Sequence, residues 1–301
     1  MKNSDVLKKN QIVLITLVAV CLSLFGCATT QSKPYGEEIV LEERITASDN
    51  IFLKGSTIII PATLWACDHM VTQGEYKAVM GTNLSYFADN PAPGEIQENR
   101  PVDSVSWYDA LVYCNKLSIK EGLTPCYKIK KTTNPDLWGE SPKTLPDKDW
   151  DAVICDFSAN GYRLPTKVEW AYLARGGNLT NEGQTVYSGS DNDDEVAWTI
   201  DTCYYIGNKG RTYGTHEVKK LKPNALGLYD MSGNLFEWCW DGYKFTPYPG
   251  QDAPKKYIGA VFHYAGGGCW DWGPVKLDAI SSFGPDASWY TGFRVVRSST
   301  K

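Results

Sequence analysis

Thiols and imidazoles are the side chains of this 301-residue chain that could do the most distinctive chemistry. Two neighbouring thiolates can hold a soft metal ion, because such ions prefer sulfur ligands. No cysteine follows Cys269, however, so the end of the chain cannot supply such a pair. His69, His216 and His263 lack the spacing of metal ligands, which predicts surface or packing roles. A serine-histidine-acid signature and a phosphate-binding loop are also missing.

The remaining cysteines give no clear framework. After Cys27 they stand at Cys67, Cys114, Cys126, Cys155, Cys203, Cys239 and Cys269. Their number is odd, so at least one thiol is unpaired within a monomer, and the sequence does not assign disulfides. Cys269 is interpreted as a small buried residue beside Trp270. A copper site formed by Cys269 and Cys239 would not correspond to any known sequence motif.

The first residues are typical of an export signal. Three lysines precede an apolar run at residues 12–25 that is too short to be a comfortable bilayer span. The run ends in Leu24-Phe25-Gly26-Cys27, which resembles the lipobox of bacterial lipoproteins. We therefore expect a signal peptide at 1–26, a lipidated Cys27 with a spacer to residue 36, and one domain over 37–301. The alternative is an ordinary secretory signal with a chance cysteine.

Charge and composition restrict the function of the exported part. The precursor has a formal charge of -5, and cleavage after Gly26 removes three lysines and Asp5, a net +2, which leaves -7. An acidic surface argues against nucleic-acid binding. Abundant tryptophan, tyrosine and glycine favour short strands, turns and aromatic packing over a helical bundle. The sequence therefore predicts an α+β fold with much irregular structure.

Three helix starts are the elements that would position these side chains. Thr72, Ser106 and Thr166 are each followed three residues later by an acid, as in a capping box. The second helix also has apolar residues at helical spacing, which gives it one buried face. These helices are expected to pack on strand-poor, irregular sheet structure. Residues 128–151 have little periodicity and are interpreted as a surface insertion. Four aromatic residues are predicted to be core: Trp238, Trp240, Tyr243 and Trp270.

Several sequence blocks occur in a fixed order along the chain. They read MVTQGEY from Met70, RPVDSVSW from Arg100, GYRLPT from Gly161, RGG from Arg175, PNALGLYDMSGN from Pro223, GGGCW from Gly266 and GFRVVR from Gly292. With these blocks the chain resembles the formylglycine-generating enzyme, or sulfatase-modifying factor, family between about Val71 and Arg297. The resemblance implies a variant of the C-type lectin fold. In that framework Arg163, Arg175 and Arg294 are expected to be buried and paired with carboxylates.

The family resemblance implies two kinds of metal site. Its enzymes oxidise a sulfatase cysteine with a copper ion held by two cysteines, which would fall near Trp272 and Leu277; this chain has none there. We therefore expect no copper and no oxidase activity. A structural calcium of the family carries over onto the side chains of Asp230 and Glu237 and the carbonyls of Gly233 and Leu235. The alternative is a pair of exposed acids flanking a turn.

Residues 271–290, called the C-terminal segment below, form the candidate site. Asparagine is absent after Asn234, and the segment carries aromatic and small polar residues instead. This pattern resembles the variable proteins of diversity-generating retroelements, notably that of Treponema, in which such residues form a ligand-binding face. The residues expected to bind are Asp271, Trp272, Leu277, Ile280, Phe283, Ser288, Trp289 and Tyr290.

The sequence thus predicts a monomeric, membrane-anchored lipoprotein, on the bacterial outer membrane or cell surface, that binds a protein or cell-surface ligand without covalent chemistry. Two alternatives stay open. An enzyme would bind copper and oxidise a cysteine peptide. A structural lipoprotein with a diverged domain would bury the C-terminal segment.

Overall fold

The computed structural model describes residues 63–143, 145–178, 182–205, 214–244, 260–273, 276–277 and 279–298, and the backbone of three short strands before them. The predicted signal peptide and Cys27 lie outside the described residues. Residues Pro34–Lys301 form one unit by their internal contacts. None of the described helices is long and apolar enough to cross a membrane.

Strands and helices alternate irregularly along the described chain. The strands are β1 (Glu37–Val40), β2 (Ile45–Thr46), β3 (Thr57–Ile58), β4 (Thr63–Ala66), β5 (Tyr127–Lys128), β6 (Ile154–Cys155), β7 (Tyr162–Arg163), β8 (Ala197–Trp198), β9 (Ser232–Gly233), β10 (Phe236–Lys244), β11 (Val261–Gly266), β12 (Ile280–Phe283), β13 (Thr291–Gly292) and β14 (Val296–Ser298). The α-helices are α1 (Gln73–Met80), α2 (Trp107–Lys120), α3 (Lys167–Ala174) and α4 (Ile200–Tyr205).

The three predicted helix starts are confirmed. Thr72, Ser106 and Thr166 accept a hydrogen bond from the backbone of the acid three residues on, and that acid accepts one in return from the cap backbone. Each reciprocal pair satisfies two amides that a helix start leaves without partners. The local sequence therefore fixes where α1, α2 and α3 begin.

Two four-stranded sheets carry the fold. One has the order β1-β4-β14-β7, in which β4 and β14 bring the two ends of the domain together in antiparallel pairing. The other has the order β12-β11-β10-β13, with a register irregularity between Trp238 and Gly242 and a parallel β10–β13 pair. The expectation of strand-poor sheet structure is thus wrong: the distant strands β4 and β14 pair in the first sheet, and the consecutive strands β10, β11 and β12 build most of the second.

Aromatic side chains fill much of the core between these elements. Trp107 at the start of α2 stacks on His263 of β11 with ring centroids 3.6 Å apart, and its Nε1 donates to the Cys239 carbonyl at 2.9 Å. Residues 128–151 are not only a surface insertion as predicted. Trp138 and Trp150 enter the core from this stretch, because burying two indoles outweighs the polar character of the surrounding sequence.

Two buried ion pairs join elements of the fold, one between a strand and a helix and the other between β10 and the loop that follows β13. The guanidinium of Arg163 in β7 donates to both oxygens of Glu169 in α3 at 2.7 Å. Arg294 donates to both oxygens of Glu237 in β10 at 2.6 Å. Bidentate geometry of this kind suits a buried arginine. The predicted carboxylate pairing is confirmed for these two arginines, whereas Arg175 is buried and donates to the Asn178 carbonyl.

Candidate functional site

Main-chain hydrogen bonds attach the C-terminal segment to the rest of the domain. The Ser288 carbonyl accepts from the Ser104 amide at 3.1 Å, and the Pro285 carbonyl accepts from Trp107 at 3.0 Å. The Trp272 carbonyl accepts from Ile200 of α4 at 3.0 Å. Within the segment, β12 pairs with β11 at the edge of the second sheet. The backbone of the segment is therefore held at several points by other elements.

Exposed aromatic rings lie on this backbone. Trp272 and Trp289 are 44% and 42% exposed. The Trp289 ring meets Tyr86, which is 62% exposed, with centroids 4.9 Å apart and edge-to-face geometry. The ring centroid of Tyr290 lies 5.8 Å from that of Trp289. Such rings offer large contact area with few rotatable bonds, which is what binding surfaces use.

The structure brings four of the predicted residues together. Tyr290 donates from its hydroxyl to the Asp271 carboxylate at 3.3 Å, and the Ser288 hydroxyl accepts from the Tyr290 amide at 3.2 Å. Trp289 stands between Ser288 and Tyr290 in the same turn. Polar atoms thus border the exposed rings, so this end of the segment combines apolar area with hydrogen-bonding groups.

The other predicted residues have different surroundings. Ile280 and Phe283 in β12 are half-buried, and Phe283 packs on Phe236 with centroids 5.0 Å apart. Leu277 was expected at the surface, but it is only 5% exposed and belongs to a core cluster. Its amide donates to the Val186 carbonyl at 3.0 Å, which holds the side chain inward. The placement of Leu277 in the binding face is therefore corrected.

Two aromatic residues were missed or misplaced by sequence reasoning. Tyr86 lies outside the C-terminal segment and has no periodic pattern around it that would indicate exposure. Its amide donates to Asp103 at 2.7 Å, which fixes the turn that presents the ring to Trp289. Tyr243 was predicted to be core, but it is exposed near the end of β10, and its hydroxyl lies 3.1 Å from the Ser282 hydroxyl. Both rings border the segment.

Thiol chemistry is disfavoured at the cysteines nearest the segment. Cys269 is fully buried, and burial raises the pKa of its thiol to about 12. Cys239 is also buried, in a different core cluster, and burial raises its pKa well above the usual range. Copper would need thiolates, which burial opposes here. The geometry therefore gives no support to a copper site from these two cysteines.

The residues predicted to hold calcium fit it only in part. Both Glu237 oxygens accept from Arg294, and Oε2 also accepts from Trp170 Nε1 at 2.8 Å, so this carboxylate already has a buried counter-ion. Asp230 is buried and its Oδ2 accepts from the Lys219 amide at 2.9 Å. Its Oδ1 has no partner among the described atoms. Of the side chains in the predicted set, only Asp230 has an oxygen suited to a cation.

We expect Asp230→Asn to stabilise the calcium-free protein at pH 7. Burial raises the pKa of Asp230 to about 6, from an ordinary 3.8. The folded state therefore binds the proton more tightly, and the stability that this proton gives is present at pH 4 and lost as the pH rises through 6. The asparagine variant should lack this pH dependence, which thermal melts between pH 4 and 8 measure.

The response of the melting temperature to calcium tests whether Asp230 is a calcium ligand. If Asp230 binds calcium, the ion should raise the melting temperature of the wild type at pH 7 and leave Asp230→Asn unchanged, with magnesium as the control. A wild-type melting temperature that does not respond to calcium or to chelation contradicts the site.

The histidines do not behave as isolated residues. His263 stacks on Trp107 in the core, and His216 stacks on Trp198 while its Nδ1 lies 2.9 Å from Glu95. These two confirm the packing role. His69 instead lies beside Cys67 and Asp68 in a group that could hold a metal ion. The absence of a metal-ligand spacing in the sequence did not indicate this grouping, because the usual spacings do not include three consecutive residues.

Comparisons with known proteins agree with the fold. The profile of the "Sulfatase-modifying factor enzyme 1-like domain" matches residues 45–299. The chain is 34% identical to "Chaperone protein LppX" of Paenibacillus barcinonensis, over 95% of this chain and 98% of that protein. It is 28% identical to the formylglycine-generating enzyme of Streptomyces coelicolor, over 51% of this chain and 52% of that enzyme.

A solved structure also has a similar fold. The Treponema denticola variable protein 1 is 32% identical, with a TM-score of 0.69 over 87% of this chain and 94% of that one. The predicted α+β, C-type lectin type of fold and the predicted family resemblance are confirmed.

Proposed function

Because this chain belongs to the sulfatase-modifying factor family and yet has no cysteine after Cys269, we propose that it is a non-catalytic member that binds a protein ligand non-covalently. The C-terminal segment supplies the binding face. The observation that carries the proposal is the row of Tyr86, Trp289 and Tyr290 rings on a main chain fixed by the rest of the domain.

The face has the features of a binding surface. Trp272 and Trp289 remain 44% and 42% exposed, and burying this remaining apolar area against a partner would be favourable. Large exposed aromatic residues of this kind supply most of the affinity in protein interfaces. The Asp271 carboxylate and the Ser288 hydroxyl lie beside them and supply hydrogen bonds. Such a mixture of rigid rings and small polar groups suits recognition of a polypeptide surface.

The relatives support the same class of function. One is a variable protein and another carries the name chaperone, a word for proteins that bind other proteins. The name "variable protein" supports the further proposal that the C-terminal segment of this chain is diversified by a retroelement. A neighbouring reverse-transcriptase gene, with a near-copy of the segment that differs only at adenines, is the expected genomic signature; its absence would contradict this part of the proposal.

Replacing Trp289 by alanine tests the binding face. The probe is a peptide selected on immobilised wild-type protein from a phage-displayed random library. Removing a hot-spot tryptophan typically costs about 2 kcal/mol or more, so we expect peptide affinity to fall about 30-fold. Tyr86→Ala should weaken binding too, because its ring supports Trp289. Surface plasmon resonance measures both.

Leu137→Ala is the matched control, since Leu137 is an exposed apolar residue outside the C-terminal segment. Its peptide affinity should equal that of the wild type. Selected peptides that bind Trp289→Ala as tightly as the wild type would contradict the proposal, as would a library that yields no binder.

Two other functions make different predictions. A formylglycine-generating oxidase must bind copper and convert a cysteine peptide, and mass spectrometry of such a peptide incubated with protein and copper detects the product. A structural lipoprotein has no ligand and should bury residues 271–290. The exposure of Trp272 and Trp289 favours binding over a structural role.

Attachment to a membrane is the last part of the proposal. Lipidation of Cys27 would tether the domain to a bacterial membrane and present it to water. Incorporation of labelled palmitate that disappears in Cys27→Ser tests the anchor, and incorporation that persists in the variant excludes it.

A further inference from the structure

A polar cluster lies outside the C-terminal segment, between β4 and α1. Cys67, Asp68 and His69 are consecutive, and one ligand atom of each lies within 4.8 Å of the other two. Cys67 Sγ is 3.7 Å from His69 Nδ1, and Asp68 Oδ1 contacts the same nitrogen. In the part of the chain that the structure describes, no other three Cys, His, Asp or Glu side chains converge this closely.

We propose that Cys67, Asp68 and His69 bind a divalent metal ion of the zinc type. Zinc takes sulfur, nitrogen and carboxylate oxygen at about 2.0–2.3 Å, so tetrahedral sulfur and nitrogen ligands stand about 3.6 Å apart. The 3.7 Å between Cys67 Sγ and His69 Nδ1 matches that separation, whereas Asp68 Oδ1 lies closer to Nδ1 than two zinc ligands do and must move away from it when the ion binds. Binding of the ion would release the proton on His69 Nδ1 and any proton on the Cys67 thiol, because metal ligands must be deprotonated.

Two further side chains orient the ligands. His69 Nε2 donates to Glu75 Oε1 at 3.2 Å, which leaves Nδ1 directed at Cys67 and Asp68. A carboxylate on the outer nitrogen is the usual support of a metal-bound histidine. Lys219 Nζ donates to Asp68 Oδ2 at 2.6 Å, so the other oxygen, Oδ1, faces the histidine. Each of these two ligands is therefore held from outside the cluster.

The backbone under the cluster is also fixed. The Cys67 amide donates to the Val295 carbonyl at 3.0 Å, and the Cys67 carbonyl accepts from Arg294 Nη1 at 3.0 Å. The Asp68 carbonyl accepts from the Tyr229 amide at 2.8 Å. A ligand set held in this way loses little conformational entropy when the ion binds, which favours affinity.

A cavity borders the cluster on the side of His69 and Glu75. Its volume is about 530 Å³, and His69, Glu75, Glu98 and Glu217 are among the residues that line it, together with two lysines. Three protein ligands leave one position of a tetrahedral zinc ion for water. The acidic side chains favour the entry of a cation.

Cobalt and zinc titrations test the site on the reduced, chelator-treated protein. Co²⁺ bound through a thiolate gives a sulfur-to-metal charge-transfer absorption in the near ultraviolet. We expect one Co²⁺ per chain with this band, displaced by Zn²⁺. Cys67→Ser should abolish the band, and His69→Gln should weaken Zn²⁺ binding by at least tenfold. Glu75→Gln, which keeps the helix cap, should weaken it about tenfold, as outer carboxylates typically do.

Cys126→Ser is the matched control, because Cys126 is a buried thiol outside the cluster. It should keep both the band and the affinity. Circular dichroism shows which variants fold, and Glu75→Gln supplies the test if Cys67→Ser does not. A wild type without the charge-transfer band, or Zn²⁺ affinity that is unchanged in both His69→Gln and Glu75→Gln, overturns the proposal.

Discussion

Replacing Glu237 by glutamine is expected to lower the free energy of unfolding by about 3–5 kcal/mol, the usual cost of leaving one partner of a buried ion pair alone. Glu237 and Arg294 are both fully buried and joined by two hydrogen bonds of 2.6 Å. Glutamine keeps the size of the side chain but loses the charge, so the guanidinium remains buried without a counter-ion. Urea unfolding of the two proteins measures the difference.

Glu140→Gln is the matched control for that change. Glu140 lies 3.9 Å from Lys143 with both side chains exposed, and solvent screening makes such pairs nearly neutral. The control should unfold like the wild type within about 0.5 kcal/mol. A loss below 1 kcal/mol in Glu237→Gln would mean that the pair does not stabilise the fold as its geometry indicates.

Replacing Gly233 by alanine is expected to cost about 3 kcal/mol or more, from left-handed backbone strain of roughly 1–2 kcal/mol and overpacking of roughly 1–3 kcal/mol. Gly233 in β9 has a φ of 79°. A Cβ there would stand 2.3 Å from the Trp198 carbonyl oxygen of β8. A Cβ would also stand 2.7 Å from the Trp198 backbone nitrogen. Since both of these atoms belong to the main chain, the parallel β8–β9 pair must move. Thermal and urea unfolding measure the loss.

Gly227→Ala separates the two causes. Gly227 has a similar φ of 77°, but a Cβ would meet nothing within 4 Å. The free energy of unfolding of this variant should fall only by the cost of the left-handed backbone, about 1–2 kcal/mol. Equal losses in the two variants would show that the clash at Gly233 relaxes without cost.

Local signals in the sequence predicted the helices and the framework well. Thr72, Ser106 and Thr166 cap helices through contacts within three residues, so their pattern needs no knowledge of the fold. The pairing of Arg163 and Arg294 with carboxylates followed from framework motifs. The family resemblance supplied the fold, which composition alone could describe only as α+β.

Long-range contacts explain what the sequence did not predict. The backbone of Cys67 and Asp68 is held by Val295 and Tyr229, which lie far away in sequence and set the conformation in which His69 meets both side chains. Leu277 turns inward because its amide reaches Val186. Tyr86 meets Trp289 only after the fold brings two distant loops together. No local pattern encodes these contacts, since each depends on the position of another element.

The main-chain attachment of the C-terminal segment has an evolutionary consequence. The carbonyls of Trp272, Pro285 and Ser288 accept their hydrogen bonds from amides of other elements whatever side chains the segment carries. An exchange of the exposed side chains at positions 272 or 289 leaves these bonds intact. Substitutions at these two positions therefore change the exposed surface without removing the main-chain attachment. The position of this backbone is thus set separately from the identity of the side chains that it exposes.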